Sequence, residues 1–101
     1  MSVSCACEER VMTAWLSGEV DHHAAKQIME KMDGLIELEL PRCLRVDLSA
    51  VTFMDSSGIA VLLRAYRRMA ALEGSVEVFN IPPQSDRVLR AAGLQRLMQF
   101  K

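Results

Sequence analysis

The sequence predicts a small α/β domain with a mixed, mostly parallel sheet of four to five strands. The first observation is a pair of short alternating runs, residues 2–7 and 11–16, which is typical of a β-hairpin. The second is the alternation of strand-like and helix-like segments after residue 20, which favours parallel pairing through right-handed crossovers. The third is length, because 101 residues with 50% hydrophobic content support one modest core. We therefore expect one domain, residues 1–101.

The opening hairpin has a polar turn at residues 8–10, Glu-Glu-Arg. Its second strand is expected to end at residues 17–19, where a serine, a glycine and a glutamate interrupt the apolar alternation. Trp15, near the end of this strand, is expected to pack in the core or at the edge of the domain. The hairpin would give the sheet one antiparallel edge.

A first helix is predicted after Asp21, an aspartate well suited to cap a helix N-terminus. Apolar residues then recur at three- and four-residue spacing, which indicates one buried stripe. Pro41 closes the segment, because the residue before a proline disfavours helical backbone. The stripe consists of Ala25, Ile28, Met29, Met32, Leu35 and Ile36.

A third strand is predicted at residues 43–48, with Leu44, Val46 and Leu48 on one face. A second amphipathic helix begins near Ile59, and Gly74 is expected to stop it. The apolar stripe of this helix consists of Ile59, Leu62, Leu63, Tyr66, Met69 and Ala70.

The C-terminal part of the chain predicts a fourth strand at residues 75–80 and then a short helix. This helix begins at Pro82 or Pro83, and Gly93 terminates it. Residues 94–100 are expected to dock on the domain as a final segment, in the form of a terminal strand. The inward side chains of the short helix are predicted to be Val88, Leu89 and Ala92.

Charge and hydropathy exclude several classes of partner. The formal net charge is −1, from 12 basic and 13 acidic side chains, and no like-charge tail is present. Nucleic acid and anionic membrane are therefore not expected partners. The apolar stretches are too short for a transmembrane span, and the first eight residues lack the features of a signal peptide. We expect a cytoplasmic protein.

Three cysteines, Cys5, Cys7 and Cys43, are an odd number in a chain that is expected to be cytoplasmic. Cys5 and Cys7 would share one face of a strand, and all three thiols are expected to be free and at least partly buried. A metal site would need further ligands, for which His22 and His23 are the remaining candidates. We expect neither a metal nor a cofactor.

The stretch Val51–Ile59 places short side chains with oxygen atoms between an apolar run and a helical pattern. Asp55, Ser56, Ser57 and Gly58 suit a helix N-terminus, where the first backbone N–H groups lack intrahelical acceptors. Capping alone is the simpler explanation of this composition. A regulated serine in a positive local field is the second interpretation.

Two motifs carry a resemblance to a known family. The run Phe53–Ile59, Phe-Met-Asp-Ser-Ser-Gly-Ile, resembles the signature of the anti-sigma factor antagonists, which are bacterial STAS domains. The run Gly18–Ala25, Gly-Glu-Val-Asp-His-His-Ala-Ala, closely resembles the corresponding segment of the sporulation antagonists that oppose the anti-sigma-F kinase. The resemblance implies a STAS-type fold, in which the helices pack on one face of a small mixed sheet.

The resemblance also implies a protein-binding switch that is not an enzyme. The unphosphorylated form would bind an anti-sigma serine kinase and release the sigma factor, and phosphorylation of Ser56 would switch this activity off. Ser57 is the second possible acceptor. Asp21, Asp55, Ser57 and Gly58 would face the kinase, a PP2C-type phosphatase would restore the active form, and the free protein would be a monomer.

Two alternatives differ in class. A STAS scaffold or ligand-sensing module of a stress-response complex would keep the fold, although no fused sensor or transporter segment is seen. A hydrolase with Ser56 or Ser57 as nucleophile is disfavoured, because the motif is not Gly-x-Ser-x-Gly and only His22 and His23 could act as bases. The arginines of the second helix, Arg64, Arg67 and Arg68, could steer an acidic partner. Compared with the sporulation antagonists, the chain is expected to end early, so that it could lack a terminal helix.

Overall fold

The computed structural model describes residues 2–101, which form one small α/β domain. Five strands make one sheet, three α-helices connect or follow them, and a short 3-10 turn spans Leu94–Arg96. The strands are β1 (Ser2–Glu8), β2 (Val11–Val20), β3 (Cys43–Met54), β4 (Ser75–Phe79) and β5 (Gln99–Phe100). The helices are α1 (His22–Glu39), α2 (Ser56–Ala71) and α3 (Pro83–Ala91).

The sheet has the strand order β1-β2-β3-β4-β5. β1 pairs with β2 in the antiparallel sense, and the other three pairings are parallel. The predicted fold class is therefore confirmed: a mixed, mostly parallel sheet with an N-terminal hairpin and a short terminal strand. Parallel pairing brings the C-terminal ends of β2 and β3 to the same edge of the sheet.

One face of the sheet carries the core. The alternating residues of β2, β3 and β4 that point to this face are buried, as are the apolar stripes of the helices that cover it. These strand residues are Met12, Ala14, Leu16, Leu44, Val46, Leu48, Val76 and Val78, and the helix residues include Ile28, Met32, Ile36, Leu62, Met69 and Leu89. The opposite face carries Trp15, which is 43% exposed and therefore lies at the surface.

β2 and β3 are both longer than the sequence predicted. β2 does not end at residues 17–19 but continues to Val20, because two irregularities in its pairing with β3 accommodate the polar residues. The second lies beside Gly18, whose φ of 81° is readily adopted only by glycine. β3 does not end at residue 48 but continues to Met54, since its backbone stays paired with β2. The first part of the serine motif is thus strand.

α2 ends close to Gly74, as predicted, but Gly74 is not the residue with the left-handed conformation. The left-handed residue is Glu73, with φ of 57°, and Gly74 follows it. The Glu73 amide donates to the Ala70 carbonyl at 3.0 Å and the Gly74 amide to the Met69 carbonyl at 2.7 Å, which is the Schellman arrangement. A Cβ on Gly74 would lie 2.8 Å from the Arg42 carbonyl oxygen, so close packing requires this glycine.

The C-terminal segment confirms most of the predicted features. Pro83 is the first residue of α3, and Gly93 follows the helix with φ of 79°. Ala92, predicted to face inward, is exposed and lies just after α3, which ends at Ala91, so the helical spacing no longer sets its direction. Leu97 is also exposed, whereas its neighbour Met98 is buried.

None of the helices within residues 2–101 combines the length and the apolar character that crossing a membrane requires.

Candidate functional site

The site lies where β2 and β3 end side by side. Val20 and Met54, the last residues of these strands, are paired with each other. Each is followed by an aspartate, Asp21 or Asp55, and each aspartate is the N-cap of the next helix. The sheet therefore brings together the two segments that the sequence motifs singled out.

Asp55 fixes the start of α2 through three hydrogen bonds. Its Oδ1 accepts from the Ser57 amide at 2.7 Å, which satisfies one of the free N–H groups of the first turn. Its own amide donates to the Val20 carbonyl at 3.2 Å, and its carbonyl accepts from the Gly58 amide at 3.0 Å. The predicted cap is confirmed, and it ties α2 to the end of β2.

Ser56 is the first residue of α2, directly after Asp55, and it is exposed. Ser57 is half-buried, and its backbone amide donates the capping hydrogen bond to Asp55. The geometry thus offers the Ser56 side chain to solvent at a helix N-terminus, where the field favours negative charge. Of the two predicted acceptors, Ser56 is the more exposed residue.

Gly58 is buried in the first turn of α2. A Cβ at this position would collide with the side chain of Met54, the last residue of β3. Close packing between the helix start and the strand end is therefore a sufficient reason for glycine here. The predicted contact of Gly58 with a partner remains a prediction.

Asp21 caps α1 by accepting a hydrogen bond from the Ala24 amide at 2.9 Å. His22 and His23, in the first turn of α1, are exposed. Asp21 and His23 line a shallow surface groove together with Gly18, Glu19, Gln27 and Thr52. Because Thr52 belongs to β3, the Gly18–Asp21 segment lies next to the strand that leads into the serine segment.

Two residues of this region had no predicted role. Phe53 is 45% exposed and lies three residues before Ser56, next to Glu19 in the sheet register. Gln84 of α3 bonds to the backbone of Met54 at both its amide and its carbonyl. Phe53 is the first residue of the Phe53–Ile59 motif, which is the signal that could have identified it. Nothing in the local pattern around Gln84 connects it to Met54, which is 30 residues away.

Asp47 holds the part of β3 that precedes the site. Burial raises the pKa of its carboxyl, but hydrogen bonds from the Ser49 amide, at 2.8 Å, and from Asn80, at 3.3 Å, outweigh it. The net result is a pKa below the ordinary value, and Asp47 is an anion at neutral pH. Its bond to Ser49 lies within the irregular stretch of β3 and stabilises it.

The arginines of α2 are partly neutralised. Arg64 and Arg68 both contact Asp33 of α1, at 2.6 Å and 3.4 Å. The basic face that the sequence indicated is therefore mixed in charge where α1 and α2 meet.

The three cysteines are free thiols and are half-buried, as expected. Burial raises the pKa of the Cys5 thiol, and the nearby Lys31 ammonium only partly opposes this.

The chain matches the family model described as "STAS domain" over residues 3–101. The protein belongs to the STAS domain family. A relative from Paenibacillus polymyxa, named anti-sigma F factor antagonist, is 33% identical over 88 residues, which are 87% of this chain and 75% of the relative.

Two solved structures of proteins named SpoIIAA have the same fold. The anti-sigma factor antagonist SpoIIAA in its unphosphorylated form matches with a TM-score of 0.87 and 28% identity, over 99% of this chain and 88% of that one. The Bacillus cell fate determinant SpoIIAA in its phosphorylated form matches with a TM-score of 0.78 and 27% identity, over 99% and 91%. The relatives are thus those to which the two sequence motifs pointed.

Proposed function

We propose that this STAS domain is an anti-sigma factor antagonist that is switched by phosphorylation of Ser56. In its unphosphorylated form it binds an anti-sigma serine kinase, and the sigma factor is released. The observation that carries the proposal is an exposed serine at the first position of α2, directly after the capping Asp55. The relatives support it, since they include a protein named anti-sigma F factor antagonist and SpoIIAA in both phosphorylation states.

The domain itself can accommodate a phosphate at Ser56. A phosphoserine carries about −1.5 to −2 charges at pH 7 and three acceptor oxygens. At the start of α2 these oxygens meet backbone N–H groups and the positive end of the helix dipole. Asp55 already satisfies the Ser57 amide, so the cap does not depend on the state of Ser56. The phosphorylated protein therefore stays folded.

The cost of the phosphate falls on the complex with the kinase. The edge around Ser56 is already acidic, because Glu19, Asp21 and Asp55 lie on the two adjacent segments. A partner surface that closes over Ser56 would bury a dianion beside these carboxylates without a matching cation. A penalty of about 3 kcal/mol weakens binding roughly a hundredfold. Phosphorylation thus releases the partner without unfolding the domain.

Asp21, Asp55, Ser57 and Gly58 are the residues that we propose face the kinase around Ser56. Asp21 and Asp55 are half-buried caps, and each uses its Oδ1 for the capping hydrogen bond. Gly58 contributes through shape, because its missing side chain lets α2 start close to Met54. Exposed Phe53 adds apolar area next to them.

The phosphatase, the oligomeric state and the compartment are proposed by resemblance to the family. A PP2C-type phosphatase removes the phosphate, the free domain is a monomer, and the circuit operates in the cytoplasm. The protein is a substrate and a regulator, not a catalyst. The match to an anti-sigma F factor antagonist favours the sporulation branch.

The proposal is tested by titrating the kinase, in the presence of MgADP, with the unphosphorylated domain and with domain phosphorylated at Ser56. We expect the phosphorylated form to bind about a hundredfold more weakly while its circular dichroism spectrum is unchanged. Equal affinities for the two forms would refute the switch. Loss of the folded spectrum on phosphorylation would refute the mechanism given for it.

A further inference from the structure

The end of β3 extends beyond β4. The pairing of these strands ends at Asp47 and Phe79, whereas β3 continues to Met54. At Met54 the side-chain amide of Gln84 takes the place that a neighbouring strand would occupy. The Met54 amide donates to Gln84 Oε1 at 2.9 Å, and Gln84 Nε2 donates to the Met54 carbonyl at 2.7 Å. A primary amide can complete this pair because it has a donor and an acceptor side by side.

The strand end is consequently held from both sides. On one side is Gln84, and on the other the Asp55 amide donates to the Val20 carbonyl of β2 at 3.2 Å. The backbone before Gln84 is conformationally restricted, since Pro82 and Pro83 precede it and the ring of each proline fixes its φ. Leu89 of the same helix is fully buried and anchors α3 in the core.

We propose that Gln84 is a positioning residue for the phosphorylation of Ser56. This inference rests on the proposed function. Gln84 does not touch the hydroxyl; it fixes Met54, after which the chain needs only Asp55 to reach Ser56. Because phosphoryl transfer depends on an in-line approach of the attacking oxygen, a displacement of about 1 Å at the acceptor can cost up to a hundredfold in rate.

Three variants separate the parts of this contact. Gln84→Ala removes both hydrogen bonds. Gln84→Glu keeps an acceptor for the Met54 amide but places a second acceptor against the Met54 carbonyl. Gln95→Ala is the matched control, because Gln95 is an exposed glutamine in the 3-10 turn. Circular dichroism first establishes that each variant is folded at the temperature of the assay.

The first measurement is hydrogen exchange of the free domain, followed at the Met54 amide. The second is the steady-state kinetics of phosphorylation by the anti-sigma kinase of the same organism with MgATP. We expect faster exchange at Met54 in Gln84→Ala and a kcat about tenfold lower with KM within about twofold. Gln84→Glu should be impaired at least as much as Gln84→Ala, because its carboxylate repels the Met54 carbonyl, and Gln95→Ala should match wild type.

The split between kcat and KM distinguishes positioning from mere stability. A variant that is partly unfolded supplies less folded substrate to the kinase, which raises the apparent KM and leaves kcat unchanged. That result, or an unchanged kcat and KM, would overturn the role of Gln84 and leave the switch at Ser56 intact. A wild-type domain that takes no phosphate would overturn both.

Discussion

The two strand-to-helix junctions of this domain are built with the same device. Asp21 and Asp55 have almost the same backbone conformation, with φ of −103° and −101° and ψ of −175° and −167°. Each accepts a hydrogen bond from an amide of the first helical turn, at 2.9 Å and 2.7 Å. An aspartate at the end of a parallel strand is therefore explained by helix capping in both places, and it identifies neither as a functional site.

The differences lie in what surrounds the cap. The first helical position is His22 in one junction and Ser56 in the other, and the third is Ala24 in one and Gly58 in the other. Within residues 2–101, α3 provides a side-chain hydrogen bond to the second junction only. This side chain is Gln84, which bonds to the backbone of Met54. A serine, a tight strand–helix contact and an additional clamp thus coincide at one junction. This coincidence, rather than the cap, supports the function that we propose.

The largest effect is expected from a negative charge at the first helical position. Ser56→Glu should weaken binding to the kinase by about a hundredfold, or ~3 kcal/mol, because in the proposed complex the carboxylate would be buried beside Asp55. His22→Glu places the same charge at the equivalent position of the other junction and should weaken binding much less. Isothermal titration of both variants checks this. A larger effect from His22→Glu would place the contact around α1 instead.

At the third helical position, exchanging glycine for alanine in α2 and alanine for glycine in α1 should both destabilise the fold. Gly58→Ala adds a methyl group that collides with Met54, and we expect a net loss of about 1–2 kcal/mol despite the better helix propensity of alanine. Ala24→Gly removes a buried methyl group and should cost about 1 kcal/mol. Thermal unfolding measures both, with a change of about 4–8 °C in Tm per kcal/mol. A raised Tm in Gly58→Ala would show that the contact with Met54 is loose.

The caps should contribute alike to stability but not to function. Asp21→Ala and Asp55→Ala should each lower the free energy of unfolding by about 1 kcal/mol, as for other N-caps. Urea denaturation at pH 7 measures this. Asp55→Ala should also lower the kcat for phosphorylation of Ser56, since it frees the residue that adjoins the acceptor, whereas Asp21→Ala should only raise KM by removing a kinase contact. A lower kcat in Asp21→Ala alone would contradict the assignment.

The smallest effect concerns Asp47, whose bond to Ser49 supports the strand leading to the second junction. Its folded pKa is lowered, so its contribution to stability is present above the unfolded pKa of about 4 and is lost as the pH falls through the folded value. Asp47→Asn should lower stability at pH 7 by less than about 1 kcal/mol and make the acid dependence shallower. Urea unfolding between pH 7 and pH 3 tests this.

Some acid dependence should persist in Asp47→Asn. The hydrogen bond from Lys101 lowers the pKa of Glu77, against a smaller opposing effect of burial, so stability from Glu77 is lost on acidification in the same direction. An unchanged acid dependence in Asp47→Asn would show that its bonds to Ser49 and Asn80 do not contribute.

The sequence predicted the features that depend on local pattern. The stripes of α1 and α2, the buried alternation Leu44–Val46–Leu48 and the cap at Asp21 are each visible in a few consecutive residues. The second helix was expected to begin near Ile59, whereas α2 begins three residues earlier, at Ser56. Its N-terminus at Asp55–Gly58 was nevertheless indicated by capping residues before the amphipathic pattern. The family motifs added the expected chemistry, which residue types alone do not supply.

The features that the sequence did not predict depend on contacts between distant segments. β2 continues through Ser17 and Gly18 because β3 pairs with it across two irregularities, and no local rule indicates this. Gly74 was correctly associated with the end of α2, but its reason is the approach of the Arg42 carbonyl from another loop. The clamp by Gln84 is of the same kind, since its partner lies 30 residues earlier.

We propose that Ser56, rather than Ser57 or a residue of the first junction, receives the phosphate. Intact-mass analysis with peptide mapping tests this after incubation with the anti-sigma kinase and MgATP, on wild type, Ser56→Ala and Ser57→Ala. We expect one added phosphate on Ser56 in wild type and in Ser57→Ala, and none in Ser56→Ala. A phosphate that persists in Ser56→Ala and maps to Ser57 would contradict the assignment of the residue. A tight complex without any phosphate would contradict the switch itself.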